Sequence, residues 1–404
     1  MHGINLNNNQ KISANEFLLA ILICANSINW ILKIDNGLAI YVIISFFALL
    51  MLNMKKLISS LNITSVIFIF YIYTFFGASI IYSDNTEQTY IYLQLFTILG
   101  VIPILVSSLN FNTEKTLKYI FFIGLLFLPF IFTFDSVTYE SIREVDGGGG
   151  IMGLSYGLLV YCTAILIIIF LFKKQPTIKK ILLYIQLSGI LFFLLSYGSR
   201  GTLVALSMLI VVLFVLRKNN NKYVRNLVFT SILLLMFIWF FVLVIYPLLE
   251  TYKINFRFIE KFLRLSDEGD ISNGRNILYR FTVDSIIDQP IVGHFIGNFK
   301  HAISNYPHNF ILQFLYEGGV LLGVPIIYLV VKSIIIMFSK KYDFNFRILI
   351  VFLFFSSVIG LMFSSYPWIS QVFWLLIGNV LHRKNHIVST ERLAQNGKIK
   401  YNYN

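Results

Sequence analysis

The sequence predicts an all-α integral membrane protein with about twelve transmembrane helices. Of the 404 residues, 57% are hydrophobic and only 13% are charged, and the mean hydropathy is +0.76. A soluble domain carries about 25% charged residues. Forty Phe and 23 Tyr against 8 Pro also exclude a disordered or collagen-like chain. The composition therefore indicates that most of the chain lies in lipid.

Apolar runs recur along the whole sequence, as one polytopic domain over 1–404 requires. A helix needs about 20 mostly apolar residues to cross the hydrocarbon core. Runs near this length predict spans at 16–33, 37–54, 62–82, 90–109, 116–134, 151–172, 180–197, 200–216, 225–247, 319–338, 346–365 and 367–382. Cys24 and Cys162 lie inside such runs. We expect buried thiols there, not a disulfide or a metal site.

The distribution of Lys and Arg predicts the orientation. With the N-terminus inside, the cytoplasmic loops contain most of the basic residues, and the short outer loops contain only Lys33, Arg143 and Arg200. Both termini, including a basic tail at 383–404, are therefore predicted to be cytoplasmic. The net charge of +13 is explained mainly by this topology, so we predict a lipid bilayer and no nucleic acid as its partner.

One outer segment, 248–307, is far longer than the other outer loops and carries seven Lys/Arg and seven Asp/Glu. Long outer loops are more often functional than simple spacers. Residues 252–264 within it are predicted to form an amphipathic helix, with Arg257 on the basic stripe. This stripe either rests near lipid phosphates or guides an anionic lipid-linked substrate.

Four short stretches carry side chains suited to chemistry on this outer face. They are Ser199-Arg200-Gly201, Gly274-Arg275 followed by Arg280, Pro290-Ile-Val-Gly293 followed by His294, and Pro307-His308-Asn309 followed by Glu317. An arginine at the end of a span is costly unless it is paired or functional. The order Pro-His-Asn predicts a helix that begins at the outer surface, with the histidine at its N-terminus. We find no zinc-type Cys/His spacing and no P-loop, and we predict neither a metal nor a cofactor.

In this order the four stretches resemble the O-antigen polymerase and O-antigen ligase superfamily. The resemblance covers about a third of the chain, and the remainder matches only in span number and in its large late outer loop. It implies a glycosyltransferase fold of the GT-C type, with a large periplasmic loop that contains short helices. It also implies an undecaprenyl-diphosphate-linked oligosaccharide as donor, used on the periplasmic face of the inner membrane without a metal.

Carried over by position, Arg200 and Arg275 match the arginines that contact the diphosphate, and His308 matches the histidine proposed to activate the acceptor hydroxyl. The physical argument agrees, because guanidinium groups stabilise the charge of a diphosphate leaving group and imidazole can accept a proton near neutrality. We therefore predict these three as catalytic. We predict that substrate binding uses further residues of the same face, with Glu317 as a second candidate base: Arg257, Arg280, His294, Asn309 and Glu317.

The sequence leaves three functions open. The Tyr-Pro-His-Asn and Ser-Arg-Gly forms favour a polymerase, which joins lipid-linked repeat units, over a ligase, which transfers the polymer to the lipid A core. Ligases have His, Asn, nine residues and then Gly-x-x-Gly, whereas after His308-Asn309 the glycines fall at 318, 319 and 323, so the spacing is one residue long. Phe295 stands where a second glycine often follows Pro-x-x-Gly. A twelve-span transporter or flippase is the rival from another class, although the two halves of the chain look unlike. A polymerase would also need a partner protein that regulates chain length.

Overall fold

The computed structural model describes residues 6–32, 37–132, 150–172, 176–197, 199–216, 275–303, 307–363 and 366–383. These ranges contain α-helices and connecting turns, and no β-strand. The helices are α1 Leu6–Leu32, α2 Gly37–Ser60, α3 Ile63–Tyr82, α4 Thr86–Val106, α5 Thr113–Phe132, α6 Gly150–Leu171, α7 Thr177–Tyr197, α8 Arg200–Leu216, α9 Arg275–Asp288, α10 Asn298–Ile303, α11 Phe310–Phe338, α12 Phe344–Phe363 and α13 Gln371–Leu381. The all-helical prediction is confirmed for this part of the chain.

Seven helices of the described ranges are long and apolar enough to cross a membrane, namely those at Leu38–Ser60, Ile63–Tyr82, Thr86–Val106, Gly153–Leu171, Thr177–Leu195, Phe310–Phe338 and Phe344–Phe363. Shorter apolar helices occupy Ala14–Asn29, Gly201–Leu216 and Gln371–Leu381. The span predicted at 225–247 lies outside the described residues. The chain is thus a multi-pass helical membrane protein, and the count of twelve spans stays a prediction.

The span predicted at 367–382 is not one continuous helix. A 3-10 turn at Pro367–Ile369 precedes α13, which has 11 residues. Eleven residues rise about 17 Å, well short of the hydrocarbon thickness of about 30 Å. Hydropathy could not show this break, because Trp368 and Ile369 are themselves apolar and continue the run.

The centre of the bundle is formed by α12, α6 and the aromatic residues around α13. Within the spans, 83% of the window at Phe344–Phe363 is buried, against 22% of the window at Leu38–Ser60. The exposed side chains of α2 and α3 are large and apolar, as expected for a lipid-facing surface. Trp368 and Trp374, both fully buried, stack on each other with ring centroids 5.7 Å apart. The central helices and these rings therefore form the buried core against which α11 packs.

Hydrogen bonds between connecting segments lie at two opposite ends of the helix bundle. At one end, named the inner end here, His382 lies within hydrogen-bonding distance of Ser65 and Ser107. At the opposite, outer end, Asn298 accepts a hydrogen bond from Ser83. Alternate crossing of the membrane requires this separation. Which end faces the cytoplasm stays a prediction from the basic residues.

Candidate functional site

Helix α11 is interrupted at Gly318 and Gly319, near the outer end. Gly318 has φ −137° and ψ 15°, and Gly319 has φ +58° and ψ −156°, a conformation that residues other than glycine rarely adopt. An interrupted helix leaves backbone N–H groups without their helical acceptors. Here Val320 N donates to Pro290 O at 2.8 Å. The predicted span at 319–338 begins at this break, although the helix itself begins at Phe310.

The turn that supplies this acceptor is the Pro-x-x-Gly stretch. Gly293 has φ +68°, and a Cβ added there would lie 2.5 Å from both Gly319 N and Tyr316 O. A Cβ on Gly319 would in turn lie 2.3 Å from Ile291 O. Two glycine motifs that are distant in sequence therefore fit against each other backbone to backbone. We name residues 289–297 the glycine turn.

His294 is held on three sides within the glycine turn. Its backbone N donates to Tyr316 O at 2.7 Å, and its ring stacks on that of Tyr316 with centroids 4.8 Å apart. Its Nε2 lies 2.8 Å from Ser285 O. A carbonyl oxygen only accepts, so Nε2 carries the proton in this contact. The geometry joins α9 to α11 through His294, and its predicted contact with substrate stays a prediction.

Asn298 attaches the glycine turn to the outer ends of α3 and α4. Its Oδ1 accepts from Ser83 Oγ at 2.6 Å and from Asn85 N at 3.2 Å, while its Nδ2 donates to His294 O at 2.7 Å. The side chain is 8% exposed. Asn298 was not among the predicted residues. The Gly297-Asn298 pair after Pro-x-x-Gly is the only local signal for such a turn, and it does not identify the partners.

His308 lies immediately before the cap of α11. Asn309 Oδ1 accepts from Ile311 N at 3.0 Å and from Leu312 N at 3.3 Å, so the helix begins at Phe310, as the Pro-His-Asn order predicts. His308 has φ +52°. Few residues other than glycine adopt this left-handed conformation, and such strained positions concentrate at functional sites.

Arg275 and His308 come together although 32 residues separate them in the chain. Arg275 is the first residue of α9, and α9 packs on α11. Burial and the positive charge of Arg275 lower the pKa of His308 from 6.5 to about 4. The imidazole is therefore neutral at physiological pH and carries a lone pair that can accept a proton. Arg280, also on α9, is exposed.

Glu317 points away from this pair and into the core. Its side chain is 2% exposed, its Oε2 accepts from Trp368 Nε1 at 2.7 Å, and its Oε1 accepts from Gln313 Nε2 at 3.1 Å. Both carboxylate oxygens thus have a donor. The contact joins α11 to the 3-10 turn before α13, which favours a positioning role for Glu317 over contact with substrate.

The Ser199-Arg200-Gly201 stretch forms the start of α8. Ser199 Oγ accepts from Thr202 N at 3.3 Å. A Cβ on Gly201 would lie 2.6 Å from the hydroxyl of Tyr156 and 2.8 Å from the Cβ of Phe363, so glycine lets α8 pack closely on α6 and α12. The side chain of Arg200 and the whole of Arg257 lie outside what the structure describes, and their roles stay predictions. Cys24 and Cys162 are free and buried, as predicted.

Comparison with known proteins adds one finding. A family model described as O-antigen ligase matches residues 185–327, about a third of the chain. No curated protein matches the sequence of the chain. The matched region contains all four stretches discussed above together with the break in α11. For this multi-pass membrane protein, the match supports the O-antigen polymerase and ligase superfamily, whose members are membrane glycosyltransferases. It does not distinguish a polymerase from a ligase.

Proposed function

We propose that the protein is a surface-polysaccharide polymerase of the inner membrane, active on the periplasmic face. It transfers a glycan from undecaprenyl diphosphate to a lipid-linked repeat unit without a metal. The observation that carries the proposal is the neutral His308, in a left-handed conformation and within reach of the positive charge of Arg275, which lowers its pKa. The reaction requires a cation that stabilises the charge of the leaving group and a base that accepts the proton of the acceptor hydroxyl.

In the proposed reaction an acceptor hydroxyl attacks the anomeric carbon of the donor sugar. The new bond from oxygen to carbon forms as the bond from that carbon to the diphosphate oxygen breaks. The proton of the hydroxyl passes to the imidazole of His308. The electron pair of the broken bond leaves with undecaprenyl diphosphate, whose charge Arg275 and Arg200 stabilise as bidentate donors.

The low pKa of His308 has a direct consequence for the order of events. A base with a pKa of about 4 is available at neutral pH but accepts a proton weakly. A diphosphate bound to Arg275 would offset its positive charge, and the pKa of His308 would then rise. Donor binding would therefore strengthen the base, and acceptor activation would follow donor binding.

Ligase activity is the second candidate, because the matching family model is described as O-antigen ligase. Polymerase remains our first proposal on the forms Tyr306-Pro307-His308-Asn309 and Ser199-Arg200-Gly201. Both reactions use the same donor and the same leaving group. They differ in the acceptor, and a polymerase would also use a partner that regulates chain length.

The test is the lipopolysaccharide profile of a deletion strain complemented with wild type or with His308→Ala at equal membrane levels. A lipid A core that carries a single repeat unit in the deletion and variant strains is the result expected of a polymerase. A bare core with accumulated lipid-linked polymer would assign the ligase. A normal ladder in the deletion strain would overturn both assignments for this polysaccharide. A normal ladder with His308→Ala alone would overturn the assignment of the base.

A further inference from the structure

The position of the glycine turn relative to the membrane follows first from its contacts along α3. The hydroxyl of Tyr71, the ninth of the twenty residues of α3, donates to Leu321 O. Leu321 N in turn donates to Ile291 O of the glycine turn at 3.3 Å. Helical side chains lean toward the helix N-terminus, which for α3 is the inner end. The contact at Tyr71 therefore places Ile291 alongside the apolar length of α3 and not above it.

Helix α11 gives a second, independent measure of this depth. Its inner end is Phe338, and a polar turn follows from Ser339 onward. Leu321 precedes Phe338 by 17 residues, which corresponds to a rise of about 26 Å. The hydrocarbon core of a bilayer is about 30 Å thick. Leu321, and with it the Ile291 carbonyl that it contacts, therefore lies within the hydrocarbon core by this measure too.

The side chains at the tip of the glycine turn are apolar and exposed. Ile291 is 61% exposed and Val292 is 48% exposed. They continue an exposed apolar face of α11 that includes Leu321 and Val324. The nine residues of the turn include no Lys, Arg, Asp or Glu, although Asp288 directly precedes the turn. Exposed apolar patches mark contacts with lipid or with another protein, and continuity with the lipid-facing side of a span favours lipid here.

The backbone of the glycine turn is hydrogen-bonded as such a position requires. Irregular backbone is tolerated at hydrocarbon depth only where its polar groups are satisfied within the protein. Pro290 has no N–H, and its O accepts from α11 at 2.8 Å. Gly293 N donates within the turn at 3.1 Å. Ile296 is held on both sides, since its N donates to Ser79 Oγ at 2.9 Å and its O accepts from Thr89 Oγ1 at 2.7 Å.

We propose that the glycine turn is a re-entrant element in the outer half of the bilayer, with the side chains of Ile291 and Val292 in contact with phospholipid acyl chains. Part of the long outer segment 248–307 thus returns into the membrane instead of projecting from it. Asp288 marks the point at which α9 leaves the hydrocarbon. This inference does not depend on the proposed function, because it concerns the bilayer and not the substrate.

The experiment attaches a nitroxide spin label to a cysteine introduced into the full-length protein, in nanodiscs made from phospholipids alone. Cys24 and Cys162 are free and buried, so the wild type taken through the same labelling gives the background. Molecular oxygen concentrates in hydrocarbon, whereas a water-soluble nickel chelate stays in water. The ratio of the collision rates of oxygen and nickel with the label therefore reports what surrounds it.

Ile291→Cys and Val292→Cys should give an oxygen-to-nickel ratio close to that of Val324→Cys on the lipid-facing side of α11. The matched control is Asp284→Cys, at an exposed polar position of the neighbouring α9. The ratio at Asp284 should be several-fold lower than at the tip of the turn. Since all four side chains are exposed, thermal unfolding near that of the wild type is expected and shows that each label reports the native fold.

Two results would overturn the inference. Labels at 291 and 292 that meet the nickel chelate as often as the label at 284 would place the turn in water. Labels at 291 and 292 that are protected from both reagents would show that protein, and not lipid, covers the tip. Neither result bears on the proposed function, which the lipopolysaccharide profile tests separately.

Discussion

Two histidines at the outer end, His294 and His308, occupy turns of opposite character. His294 has a stacking partner, a backbone contact and a carbonyl at Nε2, and it joins α9 to α11. His308 lies in a left-handed conformation beside Arg275, which lowers its pKa. Both were predicted for the substrate site from sequence. The turn at His294 therefore holds the helices together, whereas the turn at His308 supplies the group able to accept a proton.

The largest effect is expected at the scaffold glycines. Gly319→Ala adds a Cβ at 2.3 Å from Ile291 O and at φ +58°, so the turn and the broken helix must separate. We expect a loss of about 3–5 kcal/mol in the free energy of unfolding, measured as thermal stability in detergent. Gly77→Ala is the matched control, because no atom lies within 4 Å of a Cβ there. Equal stability of the two variants would contradict the docking of the turn.

The two histidines themselves give the next largest effect. His308→Asn keeps a residue that tolerates the left-handed conformation but removes the base, and we expect kcat to fall about 10²–10⁴-fold with unchanged stability. His294→Ala should do the reverse, because it loses the contacts to Ser285 and Tyr316. Glycan transfer with a purified lipid-linked donor and thermal unfolding measure the two quantities. Stability lost at His308 together with kcat lost at His294 would exchange their roles.

The pH dependence sharpens the role of Arg275. In the free enzyme the neutral, active form of His308 predominates above about pH 4, so kcat/KM should fall only as the pH drops through that value. Arg275→Gln removes one of the two causes of the low pKa and leaves burial, so the acid limb should move upward while remaining below 6.5. Arg280→Gln, at an exposed position of the same helix, is the control and should leave the limb in place. A limb unmoved by Arg275→Gln would remove the coupling.

The smallest effect concerns the helix cap. Asn309→Ala removes the acceptor of Ile311 N and Leu312 N and should lower stability by about 1 kcal/mol. Asn309→Asp should restore it, since a carboxylate caps equally well. Asn62→Ala at the N-terminus of α3, where Oδ1 accepts from Thr64 N and Nδ2 donates to Leu381 O at 3.3 Å, provides the comparison. If Asn309→Asp recovers stability but not activity, then Asn309 contacts substrate, as predicted from sequence, in addition to capping the helix.

Sequence patterns predicted the helices well, and they predicted the long-range contacts poorly. Hydropathy places a span at 319–338 because the run from Gly319 onward is apolar, and Pro-His-Asn correctly predicts a helix start at Phe310. Neither signal shows that the glycine turn supplies the acceptors at the break, since such docking depends on tertiary approach. The sequence also does not predict the conformation of His308 or the contacts of Glu317 with Trp368 and Gln313, because these too depend on tertiary structure.

The break in α11 also bears on how the chain enters the membrane during synthesis. Residues 319–338 alone are about 20 apolar residues, long enough to be inserted as a stop-transfer segment. Residues 310–317 can then stay outside until the carbonyls of Pro290 and Ile291 reach the N–H groups of Val320 and Leu321. The glycine turn is synthesised before α11. The outer part of α11 can therefore dock on the turn only after the turn has been translocated. Arg275 at the start of α9 and His308 just before α11 can approach each other only when both segments lie on the same side of the membrane.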